Sequence, residues 1–195
     1  MSLICRFKMC AIRALLFVSL GAIAGFGCGA VAAPTQHGST HGAYTLAGRV
    51  VHVADGDTFT LLVEGHQERI RLASIDAPET THGRERPGQP FGQVSKDALA
   101  KLVAGKTLDL ICFERDRYER NVCDVPLADG STANRKQVAD GVAWANMEGH
   151  GKYMRDPKIP ELEAQARRSR LGLWQSPDPV RPWVWRYQCW KQGQC

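Results

Sequence analysis

Acidic and basic residues that could bind metal and phosphate are grouped in three short clusters of this 195-residue sequence. The clusters are residues 55–58 (DGDT), 71–80 (RLASIDAPET) and 114–120 (ERDRYER). Each cluster alone is typical of a polar turn, a surface ion pair or a solvated hairpin tip. Together they supply carboxylates, which bind hard cations, and guanidinium groups, which bind phosphate oxygens in pairs.

The second cluster also predicts a stiff loop that carries two carboxylates. A hydrophobic run ends there in Asp76, Ala77, Pro78 and Glu79. Proline fixes its own backbone angle, restricts the residue before it and lacks an N–H donor. A loop stiffened in this way can hold reacting groups within a fraction of an ångström.

The elements that must position these clusters are mostly short strands. Three β-type runs, 46–53, 58–63 and 69–75, are separated by the turn pairs Asp55-Gly56 and Glu64-Gly65, which predicts a three-stranded meander. Further along, the periodicity predicts a helix before Gly105, two strands, a helix capped by Thr132 and a last helix. Their predicted bounds are 106–113 and 122–127 for the strands and 157–173 for the last helix. This order favours a mainly β, α+β fold, a five-stranded OB-fold barrel with three packed α-helices.

Both ends of the chain differ in composition from this central region. Three basic residues precede a nearly uncharged run that ends in Ala30-Val31-Ala32, which is typical of a secretory signal peptide; a membrane anchor is the alternative. We therefore expect a signal peptide at 1–32, a flexible leader at 33–43, the barrel domain at 44–176 and a Pro/Trp-rich tail at 177–195. Three prolines among the residues of the tail argue against regular helix there.

Removing residues 1–32 changes both the charge and the cysteine count. The mature chain would carry 22 Lys+Arg against 20 Asp+Glu, so any polyanion must be bound by a local basic cluster. Four cysteines remain, Cys112, Cys123, Cys189 and Cys195, and they allow three pairings. We favour Cys112–Cys123 and Cys189–Cys195, because each pair is close in sequence and the first could link two strands of a hairpin. The competing zinc site lacks any CxxC pair, and an oxidising compartment disfavours free thiolates.

The order and spacing of the three clusters resemble the staphylococcal nuclease (thermonuclease) family. The resemblance extends over about residues 44–186, through Asn134, the segment 141–144 (GVAW), the segment 162–166 (LEAQA) and the tail segment 182–186 (PWVWR). It implies the five-stranded barrel with three helices, and calcium-dependent cleavage of phosphodiester bonds in DNA and RNA.

The resemblance also implies roles for the acidic residues. Asp57 and Asp76 match the family's calcium-ligating carboxylates, and Ala77 matches a position that supplies a backbone carbonyl. The family usually has threonine at that position, but a backbone ligand survives the change to alanine. Glu79 matches the glutamate proposed as the general base toward the attacking water.

Basic and aromatic residues of the second and third clusters match phosphate-binding positions. Arg71 and Arg120 match the two catalytic arginines, which would stabilise the charge of the five-coordinate phosphorus transition state. Arg117 and Tyr118 match positions that contact a terminal phosphate of the bound nucleotide. Glu119 replaces the usual glycine, so it would strain the hairpin tip if that glycine had a positive φ. A base-stacking tyrosine has no clear equivalent; Tyr153 is the candidate.

From the sequence we expect a secreted or periplasmic, Ca²⁺-dependent nuclease. It would act as a monomer on single-stranded or locally open DNA and RNA, with little sequence specificity and without stable membrane association after signal cleavage. One alternative is a non-catalytic nucleic-acid-binding module on the same barrel, although the matching carboxylates and arginines are all present. Another is an extracellular interaction protein that uses its Trp-rich, disulfide-closed tail.

Overall fold

The structure, a computed structural model, describes residues 42–195. The predicted signal peptide and nearly all of the predicted leader lie outside the described residues. Seven strands and five α-helices follow, the strands being β1 Tyr44–Val53, β2 Thr58–Val63, β3 His66–Leu72, β4 Ile75–Asp76, β5 Thr107–Arg115, β6 Asn121–Asp124 and β7 Trp144–Ala145. The helices are α1 Gly92–Val103, α2 Ala133–Ala139, α3 Glu148–Gly151, α4 Lys158–Arg168 and α5 Pro182–Trp185.

Five of the strands close a barrel in the order β1-β2-β3-β6-β5, which confirms the predicted fold class. The two hairpins β1–β2 and β2–β3 are antiparallel, whereas β3 and β6 pair in parallel, with Arg71 opposite Val122. The side chains of Phe59, Leu61 and Ile70 are fully buried in the barrel. Parallel closure thus places the end of β3, which carries Arg71, next to the hairpin between β5 and β6.

Three predicted elements end earlier than expected: the strand predicted at 122–127 ends at Asp124, and in the other two a left-handed backbone explains the early end. The third strand stops at Leu72 because Ser74, at φ 67°, turns the chain before the short strand β4. The last long helix ends at Arg168 rather than residue 173, because Arg170 and Gly172 take φ values of 51° and 53°. A separate 3₁₀ turn, Gly172–Gln175, follows. The break at Ser74 separates Arg71 from Asp76 and lets both point into one site.

The expectation that the tail contains no regular helix is wrong. Helix α5 is followed directly by a π-helical segment, Arg186–Lys191. The prolines all lie at or before the first helical position, where the missing N–H has no helical partner to lose, so Pro182 starts the helix instead of breaking it. Among the described residues no helix is long and apolar enough to cross a membrane.

Both favoured disulfides are present. Cys112 and Cys123 face each other in the β5–β6 pair, with Cα atoms 3.9 Å apart. Cys189 and Cys195 close a loop of the tail, with Cα atoms 4.4 Å apart. One bridge therefore lies at the base of the hairpin that carries the third cluster, and the other constrains the tail.

Candidate active site

Asp57 is positioned by a tight turn between β1 and β2, and neighbouring buried residues hold this turn in place. Its backbone N–H donates to Asp55 Oδ1 at 3.0 Å. The neighbouring Gly56 leaves no room for a side chain, since a Cβ there would collide with Ser95 and Ala77. Buried Gln137 of α2 donates from Nε2 to the Gly56 carbonyl at 2.6 Å and to the Ser95 carbonyl at 3.0 Å. Helix α2 thus fixes the turn from which Asp57 enters the site.

Arg71 joins the two carboxylates that the sequence assigns to metal binding. Its guanidinium forms ion pairs with Asp57 and with Asp76, the second at 2.6 Å. Nη2 also donates to the Ile75 carbonyl at 3.2 Å. The Asp57 carboxylate in turn accepts the backbone N–H of Ala77 at 2.6 Å. The structure therefore brings these four predicted residues together in one buried cluster.

Glu79 lies beside this cluster on the loop that follows β4. Its carbonyl accepts the Gln89 N–H at 2.8 Å, and its N–H donates to Gln89 Oε1 at 3.3 Å. Gly92, the first residue of α1, packs directly on the Glu79 carbonyl, where a Cβ would collide with it. The backbone of the predicted general base is thus held by the start of α1, in agreement with the stiffness expected from Pro78.

A third guanidinium, from the tail, also reaches the carboxylates. Arg186 donates from Nη1 to Glu79 Oε1 at 2.6 Å and to Asp76 Oδ1 at 3.1 Å, and from Nη2 to Asp76 Oδ2 at 2.7 Å. The sequence analysis placed Arg186 only within the tail motif and gave it no role. The available signal was its position directly after Trp185 in that motif, but the 107 positions that separate it from Glu79 hid the contact.

Burial and these arginines set the charge states of the acids. Burial raises the pKa of Asp57 to about 7, against the opposing effect of Arg71. Burial also raises the pKa of Glu79 to about 7, although Arg186 counteracts it. Burial acts on Asp76 in the same direction, but Arg71 and Arg186 outweigh it and hold the pKa of Asp76 below its usual value. The site therefore combines one firmly ionised carboxylate with two that titrate near neutral pH.

The third cluster forms the tip of the β5–β6 hairpin, at the edge of the same cleft. Arg120 pairs with Asp116 at 2.7 Å rather than with the buried carboxylates. The exposed ring of Tyr118 lies beneath the guanidinium groups of Arg117 and Arg120, at 4.8 and 5.3 Å from the ring centroid. Glu119 has φ 58°, the left-handed conformation in which the family's glycine would be free of strain, and its carboxylate lies 4.0 Å from the Arg115 guanidinium.

The cleft has a volume of about 1030 Å³ and contains nearly all the side chains that the sequence singles out. Its lining includes the catalytic candidates Arg71, Glu79 and Arg120, the candidate ligands Asp57 and Ala77, the substrate-binding candidates Arg117 and Tyr118, and the stacking candidate Tyr153. The fully buried Asp76 lies behind this surface, in contact with Arg71 and Arg186. A cleft with carboxylates at its base and arginines around it can bind a phosphodiester and activate water against it.

The chain matches known proteins over most of this architecture. A family model described as staphylococcal nuclease homologue matches residues 69–176. A protein from Escherichia coli O157:H7 named as an uncharacterized endonuclease is 42% identical over 143 residues, which are 73% of this chain and 86% of that protein. A micrococcal nuclease from Shigella flexneri is 40% identical over 147 residues, 71% of this chain and 79% of its own. An uncharacterized endonuclease from Haemophilus influenzae is 37% identical, with 72% of each chain covered. The chain therefore belongs to the staphylococcal nuclease family of phosphodiester hydrolases.

Proposed function

We propose that this protein is a secreted or periplasmic, calcium-dependent nuclease that hydrolyses DNA and RNA with little sequence specificity and acts as a monomer. The observation that carries the proposal is the contact of one guanidinium, that of Arg71, with two buried carboxylates beside Glu79. The cleft has room for a single strand and its described lining offers phosphate-binding arginines and exposed aromatic rings, which bind unpaired nucleotides regardless of base identity.

The donor set suits a hard divalent cation. Among the described residues no cluster of three or more His, Cys, Asp or Glu side chains forms a ready metal centre. Two buried carboxylates do converge on Arg71, however, and the Ala77 backbone lies against one of them. Because burial raises the pKa of Asp57 to about 7, its ionised form would gain from a cation. Asp57, Asp76 and the Ala77 carbonyl would hold calcium, with water completing a loose oxygen shell.

The side chains of this protein carry out the remaining steps of the hydrolysis. Calcium bound there would neutralise charge on a phosphate oxygen. Glu79 accepts a proton from the attacking water, and a pKa near neutrality suits a general base better than the ordinary value of a carboxyl. Arg71 and Arg120 donate to the phosphate oxygens on which negative charge grows, while Arg117 and Tyr118 hold a neighbouring phosphate. Asp116 accepts a hydrogen bond from Arg120 Nε at 2.8 Å and so holds the guanidinium in the cleft lining.

A cleavage assay tests the activity and its dependence on calcium. The mature chain, residues 33–195 with its disulfides intact, is incubated with single-stranded DNA and with RNA, in calcium and then in a chelator. We expect cleavage in calcium and none in the chelator or with Glu79→Gln. Glu85→Gln, an exposed change in the same loop, is the matched control and retains activity. Folded wild-type protein that binds the strand in calcium without cutting it would establish the binding module instead.

The compartment is tested separately, because activity does not depend on it. We expect expression of the full chain in a bacterium to yield processed protein outside the cytoplasm, with Ala33 as the new N-terminus by sequencing. The paired cysteines are consistent with an oxidising compartment. Unprocessed chain retained in the cytoplasm would contradict this part of the proposal.

A further inference from the structure

The tail continues past the family match at residue 176 and is tied firmly to the loop that carries Glu79. The indole N–H groups of Trp185 and Trp190 both donate to the Pro87 carbonyl, at 3.2 and 3.0 Å. Gln89, which also holds the Glu79 backbone, donates its side-chain amide to the Val180 carbonyl. The tail is therefore part of the cleft wall and is hydrogen-bonded to the Glu79 loop at three places.

Two further constraints fix the tail in place. Cys189 is 2% exposed, and its disulfide with Cys195 closes the chain just after the π-helical segment. At the other end of that segment, the Arg186 guanidinium is bound by Asp76 and Glu79. A surface held at both ends loses little conformational freedom when a ligand binds to it, which favours affinity.

The side chains that this fixed segment presents to the cleft are aromatic and basic. Tyr187 has 56% of its surface exposed, and Lys191 is also exposed. The half-buried Trp190 ring has the Arg86 guanidinium 5.8 Å from its centroid, and the nearly perpendicular His82 ring has its centroid 6.3 Å from that of Trp190. All five side chains line the same cleft as Arg71 and Glu79.

This composition fits one chemical class of ligand. Aromatic rings that alternate with Arg and Lys bind unpaired nucleotides, because the rings stack on bases while the cations contact phosphates. The charge at this end of the cleft is complementary to a polyanion, because Arg86 and Lys191 line it, while the Arg186 cation there is paired with Asp76 and Glu79. The cleft volume of about 1030 Å³ slightly exceeds the roughly 300–1,000 Å³ that is typical of sites for a single small ligand.

We propose that Tyr187, Trp190 and Lys191 of the tail, with His82 and Arg86 of the facing loop, form a nucleotide-binding subsite for single-stranded nucleic acid adjacent to the cleavage site. The inference rests on the proposed function and adds which part of the cleft wall binds the strand next to the cleavage site. Tyr187 stacks on an unpaired base, and Arg86 and Lys191 bind the adjoining phosphates. The hairpin residues Arg117 and Tyr118 come from a different element, so the strand is held by two separate parts of the cleft wall.

Equilibrium binding to the Glu79→Gln chain in calcium tests the subsite without cleavage. The probe is a labelled oligothymidylate followed by fluorescence anisotropy. We expect Tyr187→Ala to weaken binding roughly 5- to 150-fold, the range for losing one stacked base, and Tyr187→Phe to retain the affinity. Arg86→Ala should weaken binding and reduce the slope of log affinity against log salt by about 0.7, the value for one single-strand phosphate contact. Arg84→Ala, an exposed change in the same loop outside the cleft lining, is the matched control.

The outcomes separate the subsite from the nuclease proposal. Unchanged affinity for Tyr187→Ala and an unchanged salt slope for Arg86→Ala would overturn the subsite, even if the wild-type chain cleaves DNA. Weaker binding by both variants, together with no cleavage by the wild-type chain in calcium, would support the subsite and overturn the nuclease. If Tyr187→Ala lost as much affinity for a duplex as for the single strand, that would also overturn the subsite, because paired bases cannot stack on the ring. Thermal unfolding of each variant confirms that it is folded.

Discussion

Arg186 donates a hydrogen bond to Glu79 Oε1 at 2.6 Å, although 107 positions separate the two residues in the chain. The same guanidinium holds both oxygens of Asp76. The proton affinity of the proposed general base is therefore set by two opposing effects, burial in the cleft wall and a cation supplied by the tail.

Replacing Arg186 should shift the pH dependence of cleavage. Arg186 lowers the pKa of Glu79, so Arg186→Ala raises that pKa above its present value of about 7. A general base must be ionised, so the rising limb of kcat/KM moves to higher pH and activity at neutral pH falls. Arg186→Lys should move the limb back toward the wild-type position. Arg168→Ala, an exposed change on α4, is the control; a limb that stays in place in Arg186→Ala would contradict the assignment.

Asp57 should make the metal-free protein less stable as the pH rises. Its pKa is about 7 in the folded chain and 3.8 in the reference state. Between these values the unfolded chain releases a proton that the folded chain keeps, so the free energy of unfolding falls as the pH rises. Asp57→Asn removes this cost, and its gain in Tm over wild type, measured in chelator, should be larger at pH 8 than at pH 5. Asp97→Asn, on the surface of α1, should show no such difference; an equal gain at both pH values would refute the prediction.

Arg120 and Arg117 should affect different kinetic constants. Arg120→Ala removes a donor to the transition state and should lower kcat by about 10²–10³, corresponding to about 2.7–4 kcal/mol. Arg71→Ala should lose at least as much. Arg117→Ala removes a contact made equally in the ground state, so it should mainly raise KM. Steady-state kinetics on one oligonucleotide separates these effects, with Arg49→Ala as the surface control. A kcat effect of Arg117→Ala equal to that of Arg120→Ala would contradict the assigned roles.

Glu119→Gly should stabilise the protein, whereas Glu119→Gln should not. Glu119 has φ 58°, where a side chain costs about 1 kcal/mol that glycine avoids. Glutamine keeps the side chain and removes only the charge. Both changes remove the negative charge next to Arg120, a proposed phosphate-binding residue, so both should lower the KM for the oligonucleotide. Thermal unfolding separates the effect of backbone strain from the effect of the charge. Equal Tm values for the two variants would show that strain at this position is not significant.

Local patterns in the sequence predicted the strands of the barrel, whereas the residues at the base of the site were predicted from the resemblance to the nuclease family. Turn pairs and β-type runs defined the first three strands, and the spacing of Arg71, Asp76 and Glu79 kept them within the short segment 71–79, which spans the end of β3, β4 and the loop that follows. From the sequence, Glu119 could also be identified as the residue whose side chain would strain the backbone of the hairpin tip. The disulfide pairs were favoured because each joins cysteines close in sequence, 11 and 6 positions apart.

Other contributors could not be predicted because they depend on contacts between distant segments. Buried Gln137 reaches the Gly56 carbonyl across 81 positions, and its residue type gave no sign of that role. The early ends of β3 and α4 depend on left-handed residues at Ser74 and Arg170, which are not types that favour this conformation. In the tail, the number of prolines suggested an irregular chain, whereas their position at the start of α5 permits helix.

Parallel pairing of β3 with β6, and the contact of Arg186 with Glu79, also determine the order in which the site is assembled as the chain lengthens. The barrel cannot close until residues 121–123 are available to pair with 70–72. Even a closed barrel has an unfinished cleft until the chain extends to Arg186. A chain synthesised only as far as the barrel therefore holds the proposed general base without the Arg186 cation that lowers its pKa.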